Sequence, residues 1–231
     1  MTERRLGRVA GGPSLMVLFV LFFIFVVVVG VVSYVVGQQR IRDIATFARA
    51  HALTVIGNDW DMGDCGYSLF RAGTRRYWHN VMRGQWNGVP VTYCDYSYVV
   101  SDGKNQNTVS FSNVLASLGT QMPQVTVSPR SALGALAEKS IGAPGIRFES
   151  IAFNDRFNVE SSDAAFAVEL IDAQMIETLL ALDGAYHVVF GPQELMVYAH
   201  RKPVAEIGAL FDAATLVLQR IPALVRGRPV A

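Results

Sequence analysis

The spacing of apolar positions divides the chain into two parts. From Leu15 to Val36 it reads LMVLFVLFFIFVVVVGVVSYVV, without a charge and with Ser33 as the one strongly polar side chain. At a rise of about 1.5 Å per residue, about 22 residues cover about 33 Å, the thickness of a bilayer's hydrocarbon core. The β-branched run would resist a helix in water. In lipid the backbone has to bond to itself, and helix wins. The pattern predicts a transmembrane helix over 15–36, in contact with the lipid bilayer, behind an amino-terminal tail over 1–14. A cleaved signal peptide is the rival reading. Its apolar stretch is typically about 7–15 residues and ends at a small-x-small site, and Val31–Gln39 offers no such site.

Past that run the periodicity changes. Ile41, Ile44, Phe47, Ala48 and Leu53 fall at near-helical spacing, so 37–53 is expected to be a juxtamembrane helix or linker. Thr54–Gly66, with Asn58, Asp59, Asp61, Gly63 and Asp64, has the composition of a loop. Arg75–Trp86 and Val89–Val100 read as strands flanking Asn87-Gly88, whose residues both tolerate positive φ, the strongest short hairpin signal. Asp102-Gly103 supplies a second turn before a strand over Thr108–Leu115, and Met122–Pro129 reads as another. Ser131–Gly145, rich in Ala and Gly, is either a weak helix or a connector.

Ile146–Val159 reads as strand-like through Phe148, Ile151, Phe153 and Phe157. Phe166, Ala167, Leu170 and Ile171 then form one helical stripe, and Met175, Ile176, Leu179 and Leu180 a second. Ser162 or Asp163 would cap the first helix and Asp172 the second. Ala185–Phe190 and Leu195–His200 form a hairpin around Gly191-Pro192, and a last helix starts near Pro203 and stops before Pro222. Strands first, with helices packed among later strands, predict one soluble α+β domain over 54–225. Its sheet is expected to be mainly antiparallel, with packed helices and a tail over 226–231.

Composition narrows the function classes. With 51% hydrophobic residues and a net charge of +1, the chain has no run of basic residues to track a nucleic-acid backbone, so nucleic acid is not an expected partner. Only Lys104, Lys139 and Lys202 among the 20 basic residues are lysines, the coding signature of a GC-rich genome. Arg4, Arg5 and Arg8 precede the apolar helix, and Arg40, Arg42 and Arg49 follow it. The positive-inside rule therefore finds three against three; only the amino terminus tips it toward an inside N-terminus, which is too little to decide the side of the domain.

One block is distinctive. Glu149–Leu180, ESIAFNDRFNVESSDAAFAVELIDAQMIETLL, resembles a family of uncharacterised membrane-anchored bacterial proteins, common in actinobacteria, that share a domain of unknown function. The shared pattern is E-S-x-x-F-N-x-x-F-x-V, an acidic pair, and a helix ending in L-x-x-x-M-x-x-x-L-L. Here it is carried by Glu149, Ser150, Phe153, Asn154, Phe157, Val159, Asp163, Phe166, Ala167, Leu170, Met175, Leu179 and Leu180. Asp95–Tyr98 (DYSY) and Ile221–Val225 (IPALV) also fit, whereas this chain carries LTVIGND where the relatives have an aromatic-rich G-W-x-Y. The resemblance implies an architecture and no activity, substrate or cofactor. It leans the domain toward the cytoplasm, because relatives place arginines directly after the helix, as Arg40 and Arg42 stand here.

Chemistry is thinly marked. A G-x-S-x-G elbow and the phosphate-binding glycine motifs are missing from the sequence, and His51, His79, His187 and His200 lack a partner pattern. Asp59, Asp61 and Asp64 suggest a calcium loop, but the twelfth position, which should be Glu, is Phe70. Cys65 and Cys94 are too few for a structural zinc site. They would pair in an oxidising compartment and stay thiols in a reducing one. The aromatics Tyr77, Trp78, Trp86, Tyr93, Tyr96 and Tyr98 are read as cross-strand packing before a ligand platform.

Glu149 and Asn154 are the polar residues that mark a candidate pocket beside a strand–helix junction. The competing reading is that Glu149 caps or pairs within the sheet and Asn154 opens a turn. No catalytic, metal or cofactor-binding residue is assigned. The expectation is a single-pass membrane-tethered, non-enzymatic module with a protein partner or a role in a membrane assembly. The alternative is a membrane-anchored, hydrolase-like enzyme. A deep pocket joining Glu149, a histidine and Asp95 would favour the enzyme; a shallow aromatic surface would favour the binding module.

Overall fold

A computed structural model describes residues 15–58, 66–101, 103–130, 145–182, 184–223 and 225. The chain divides into two compact units, Met1–Asp43 and Ile44–Ala231. Helix α1 runs unbroken from Leu15 to Ala50, so the segment expected to be a juxtamembrane helix or linker continues the apolar one. Every residue of 15–36 is exposed, and the helix is long and apolar enough to cross a membrane.

The second unit is α+β, built on one open eight-stranded antiparallel sheet. Its strands are β1 (Thr54–Gly57), β2 (Thr74–Trp86), β3 (Val89–Ser101), β4 (Gln106–Ser117), β5 (Val125–Pro129), β6 (Phe157–Ser161), β7 (His187–Phe190) and β8 (Glu194–His200). They lie in the order β1-β2-β3-β4-β8-β7-β5-β6. Asn87 and Gly88 take φ of 51° and 78°, so the β2–β3 turn is the left-handed pair that matches strand twist.

Period-two alternation gives the two faces different covers. On one face Val91, Tyr93, Val114 and Val197 meet α6 (Ile207–Arg220) through Leu210, Phe211 and Val217, and Ile44 and Ala48 of α1 join the same core. On the other face Cys94, Tyr96, Phe111 and Met196 pack under the short helix α2 (Ser68–Arg71), which contributes Leu69 and Phe70. Burying each large apolar side chain stabilises the fold by about 1.5–3 kcal/mol relative to exposure.

Two expectations need correction. Within the segment read as a loop, Thr54–Gly57 is strand β1, pairing Thr54 with Arg83 and Val55 with Met82. The β-branched Thr-Val-Ile triplet decides its four residues, and the Asn and Asp residues all lie beyond Gly57. The segment read as a strand over Ile146–Val159 contains helix α3 (Ile151–Arg156), and strand begins only at Phe157. Ser150 caps that helix by accepting from the Phe153 N–H at 3.3 Å, and Phe153 and Phe157 stand four apart, a helical interval. Of the two cap candidates, Asp163 caps α4 (Ala164–Leu170), accepting from the Phe166 N–H at 2.9 Å. Asp172 caps α5 (Ala173–Ala181) in the same way at 2.8 Å.

Candidate functional site

The block Glu149–Leu180 folds around a groove of about 630 Å³. One wall is the extended segment Arg147–Ser150, and the other is made by α4 and α5, which Ile171 and Asp172 separate. Phe148, Val168, Ile171, Ile176 and Leu180 supply apolar surface, with Arg147, Glu149 and Glu177 at the polar positions. Those three charged side chains are exposed.

Helix α3 fixes both walls from behind. Asn154 accepts from the Phe148 N–H at 3.0 Å through Oδ1 and donates to the Phe148 carbonyl at 2.6 Å through Nδ2. Two residues on, Arg156 donates from Nη1 to the Leu180 carbonyl and from Nη2 to the Leu182 carbonyl, each at 2.6 Å. These carbonyls close α5, where a helix leaves its last acceptors unpaired and its dipole favours a cation. Gly184 stands where a Cβ would come within 2.9 Å of the Arg156 guanidinium.

Of the two pocket candidates, therefore, Glu149 lies on the groove and Asn154 stands behind its wall as a backbone clamp. Neither belongs to a strand. Arg156 was not singled out from sequence. Its signal was one arginine inside the apolar F-N-D-R-F stretch, a position that calls for a partner.

A second polar cluster is buried under the long strands. A bulge in β2 sets both Asn80 and Val81 against Cys94, and Asn80 takes φ of 53°. The bulge turns Asn80 toward Asp95, which accepts from Asn80 Nδ2 at 2.8 Å. Asp95 also accepts from the Tyr93 hydroxyl at 2.7 Å and the Ser112 hydroxyl at 3.2 Å, with an Arg201 nitrogen 4.0 Å away. The carboxylate is thus engaged by donors from its own strand and from both neighbouring strands. It organises three strands and leaves little of its lone-pair capacity for a substrate.

The third feature is a run of rings across the α2-covered face. Trp78, Tyr96, Tyr98, Phe111 and Tyr198 follow one another with centroid separations of 5.2, 5.8, 6.0 and 5.7 Å. His187 stacks on Tyr198 at 4.5 Å, and its Nδ1 lies 3.3 Å from the Ser128 hydroxyl. Burial, with His200 adding to it, lowers the His187 pKa to about 4. Burial pushes the Tyr96 and Tyr198 hydroxyls up to about 12. Trp86 and Tyr93, on the opposite face, stack on Phe211 instead, and Tyr77 is half-exposed.

The histidines are dispersed: His51 packs on Phe47 and Trp86, His79 near Tyr77, and His200 on Phe111. The groove's lining includes neither a histidine nor Asp95. Asp59, Asp61, Asp64 and Cys65 lie outside the described residues, while Cys94 is buried. Among the described residues no group of three or more His, Cys, Asp or Glu is placed to hold a metal ion.

The fold thus defines a class, an apolar amino-terminal helix followed by an open antiparallel α+β sheet. A solved structure to which the chain is similar is the mycobacterial trehalose monomycolate transport factor A, TtfA, with a TM-score of 0.53 over 80% of this chain and 97% of that chain. The two are 12% identical, so the likeness is one of fold. No protein-family model matches the chain, and no curated protein sequence does.

Proposed function

We propose that this protein is a membrane-tethered, non-enzymatic module that works by binding a protein partner within a membrane assembly of the transport kind. The observation that carries the reading is the groove. It is open and apolar with a charged rim, its walls are fixed from behind, and it brings no histidine to Glu149. The fold likeness to a trehalose monomycolate transport factor supports a role in such an assembly. Leu15–Val36 acts as an uncleaved anchor in this reading, since its charge-free length suits a bilayer better than a signal peptide. The charge count on the two sides of the helix is balanced, and the lean toward a cytoplasmic domain rests on the family resemblance, whose members place arginines where Arg40 and Arg42 stand.

Anchor exchange tests the reading. Extracted in mild detergent, the full chain is expected to run in a complex larger than its own 25.3 kDa and a micelle can explain. Replacing residues 15–36 with an unrelated apolar span should preserve that complex, and a chain beginning at Arg40 should lose it. A chain that runs alone in every extraction would overturn the reading. So would a substrate turnover abolished by Glu149→Gln in a folded protein, which would point to the enzyme.

A further inference from the structure

We infer that the groove docks an amphipathic helix of a partner protein whose apolar stripe is flanked by arginine or lysine. The inference rests on the binding reading above and names the partner's chemistry. Its first support is exposed apolar surface. Val168, on the lining, is 51% exposed. Ile151, next in the chain to the lining residue Ser150, is 77% exposed, more than any other large apolar side chain described between 44 and 225. A soluble surface places such residues singly; grouped at a concave site they mark a contact.

Charge supplies the second support. Between residues 145 and 182 there are seven acidic side chains against two arginines, in a chain that carries 19 acidic and 20 basic residues in all. One of the two, Arg156, is already engaged with the Leu180 and Leu182 carbonyls. The groove therefore opens onto a net acidic surface, with Glu149 and Glu177 outnumbering Arg147 at its rim. A phosphate headgroup would meet those carboxylates at a cost, whereas a guanidinium or ammonium gains from them.

Backbone geometry supplies the third. An extended peptide would need a sheet edge, but the adjacent edge strand β6 already receives the Ile146 N–H on its Val159 carbonyl at 2.9 Å. A helix needs no edge: it lays residues i, i+3 or i+4, and i+7 into an apolar trough. Asn154 and Arg156 hold the trough open before the partner arrives, which lowers the ordering cost of binding.

The test uses the full chain in nanodiscs of neutral phosphatidylcholine and two fluorescent peptides of about 16 residues, a length that spans the anchor positions. Both carry leucine at the anchor positions; one has arginine beside the stripe and the other glutamate. The arginine peptide is expected to bind at least about tenfold more tightly, and Glu149→Gln with Glu177→Gln should remove most of that difference. Val168→Arg with Ala173→Arg should abolish binding, while Asp43→Asn with Glu206→Gln, neither of which lines the groove or belongs to the acidic segment, should leave it unchanged. Equal binding of the two peptides, or an equal loss in the off-groove pair, would overturn the inference. So would anionic lipid vesicles displacing the arginine peptide from a chain that prefers the vesicles. If neither peptide binds and the extracted chain still runs in its complex, the groove is not the docking site although the tethered module stands. If the complex is also missing, both readings fall.

Discussion

Asn154 holds the backbone of Phe148 at both of its polar atoms, donating to the carbonyl at 2.6 Å and accepting from the N–H at 3.0 Å. One amide side chain thereby does for Arg147–Ser150 what a neighbouring strand would do, and the segment becomes a wall.

Asn154→Ala should cost about 2 kcal/mol, because it leaves two half-buried backbone groups without partners where an ordinary cap loss costs about 1 kcal/mol. Asn154→Asp keeps one bond and sets a carboxylate oxygen against the Phe148 carbonyl, so it should be no better. Urea unfolding of the chain shortened to begin at Arg40 measures both. A midpoint at the wild-type value would show that the clamp is idle.

Arg156→Lys tests the other wall. A lysine offers one compact charge and cannot bridge the Leu180 and Leu182 carbonyls as the planar fork does. The expected loss is about 1–2 kcal/mol, in line with removing one charge-assisted hydrogen bond. Amide exchange should rise first at the end of α5, and unchanged protection there would contradict the assignment.

Much of the fold was legible because the residues that dictate it act locally. Asn87-Gly88 fixes its hairpin by positive φ at two adjacent residues, and Asp163 and Asp172 announce helix starts through bonds three residues away. Arg156 could not be read the same way, since its partners lie 24 and 26 residues along the chain. The strand expected over Ile146–Val159, from polar residues interleaved among Phe148, Ile151, Phe153 and Phe157, begins only at Phe157, because the Ser150 cap and the four-residue interval favour a helical turn before it. Glu149 was legible as a polar residue beside a junction. That the junction is a groove depended on α4 and α5 folding back over it.

Within that block, Phe153→Ala and Leu170→Ala should each cost about 2–5 kcal/mol, the transfer loss plus the cavity. Both side chains are fully buried. Glu149→Gln, at an exposed position, should stay within about 0.5 kcal/mol of wild type. A thermal or urea series separates them. Wild-type midpoints for the phenylalanine and leucine variants would show that the block contributes little to the stability of the fold.

His187 gives the domain a pH dependence of known sign. Its ordinary pKa of 6.5 is lowered to about 4, first by burial and then by His200. Between those values the unfolded chain takes up a proton that the folded one refuses. The stability contributed by the neutral ring is therefore present above pH 6.5 and lost as pH falls toward 4. Allowing for partial exposure, the loss is on the order of 2 kcal/mol. Glu194, whose pKa burial raises, acts in the opposite sense and flattens the total curve. The comparison of wild type with His187→Gln isolates the ring: the variant should lose less stability between pH 7.5 and 5. Identical slopes would contradict the buried neutral imidazole.

The central claim is that the tethered module acts through its groove, and chromosomal replacement by the Val168→Arg, Ala173→Arg chain tests it most directly. Both residues line the groove and both are exposed, so the fold should survive, as the amount of protein in the membrane fraction and its melting midpoint would establish. The account predicts cells that behave like a deletion although the protein is present, folded and membrane-bound. Cells indistinguishable from wild type, with the same folded variant in their membranes, would contradict it.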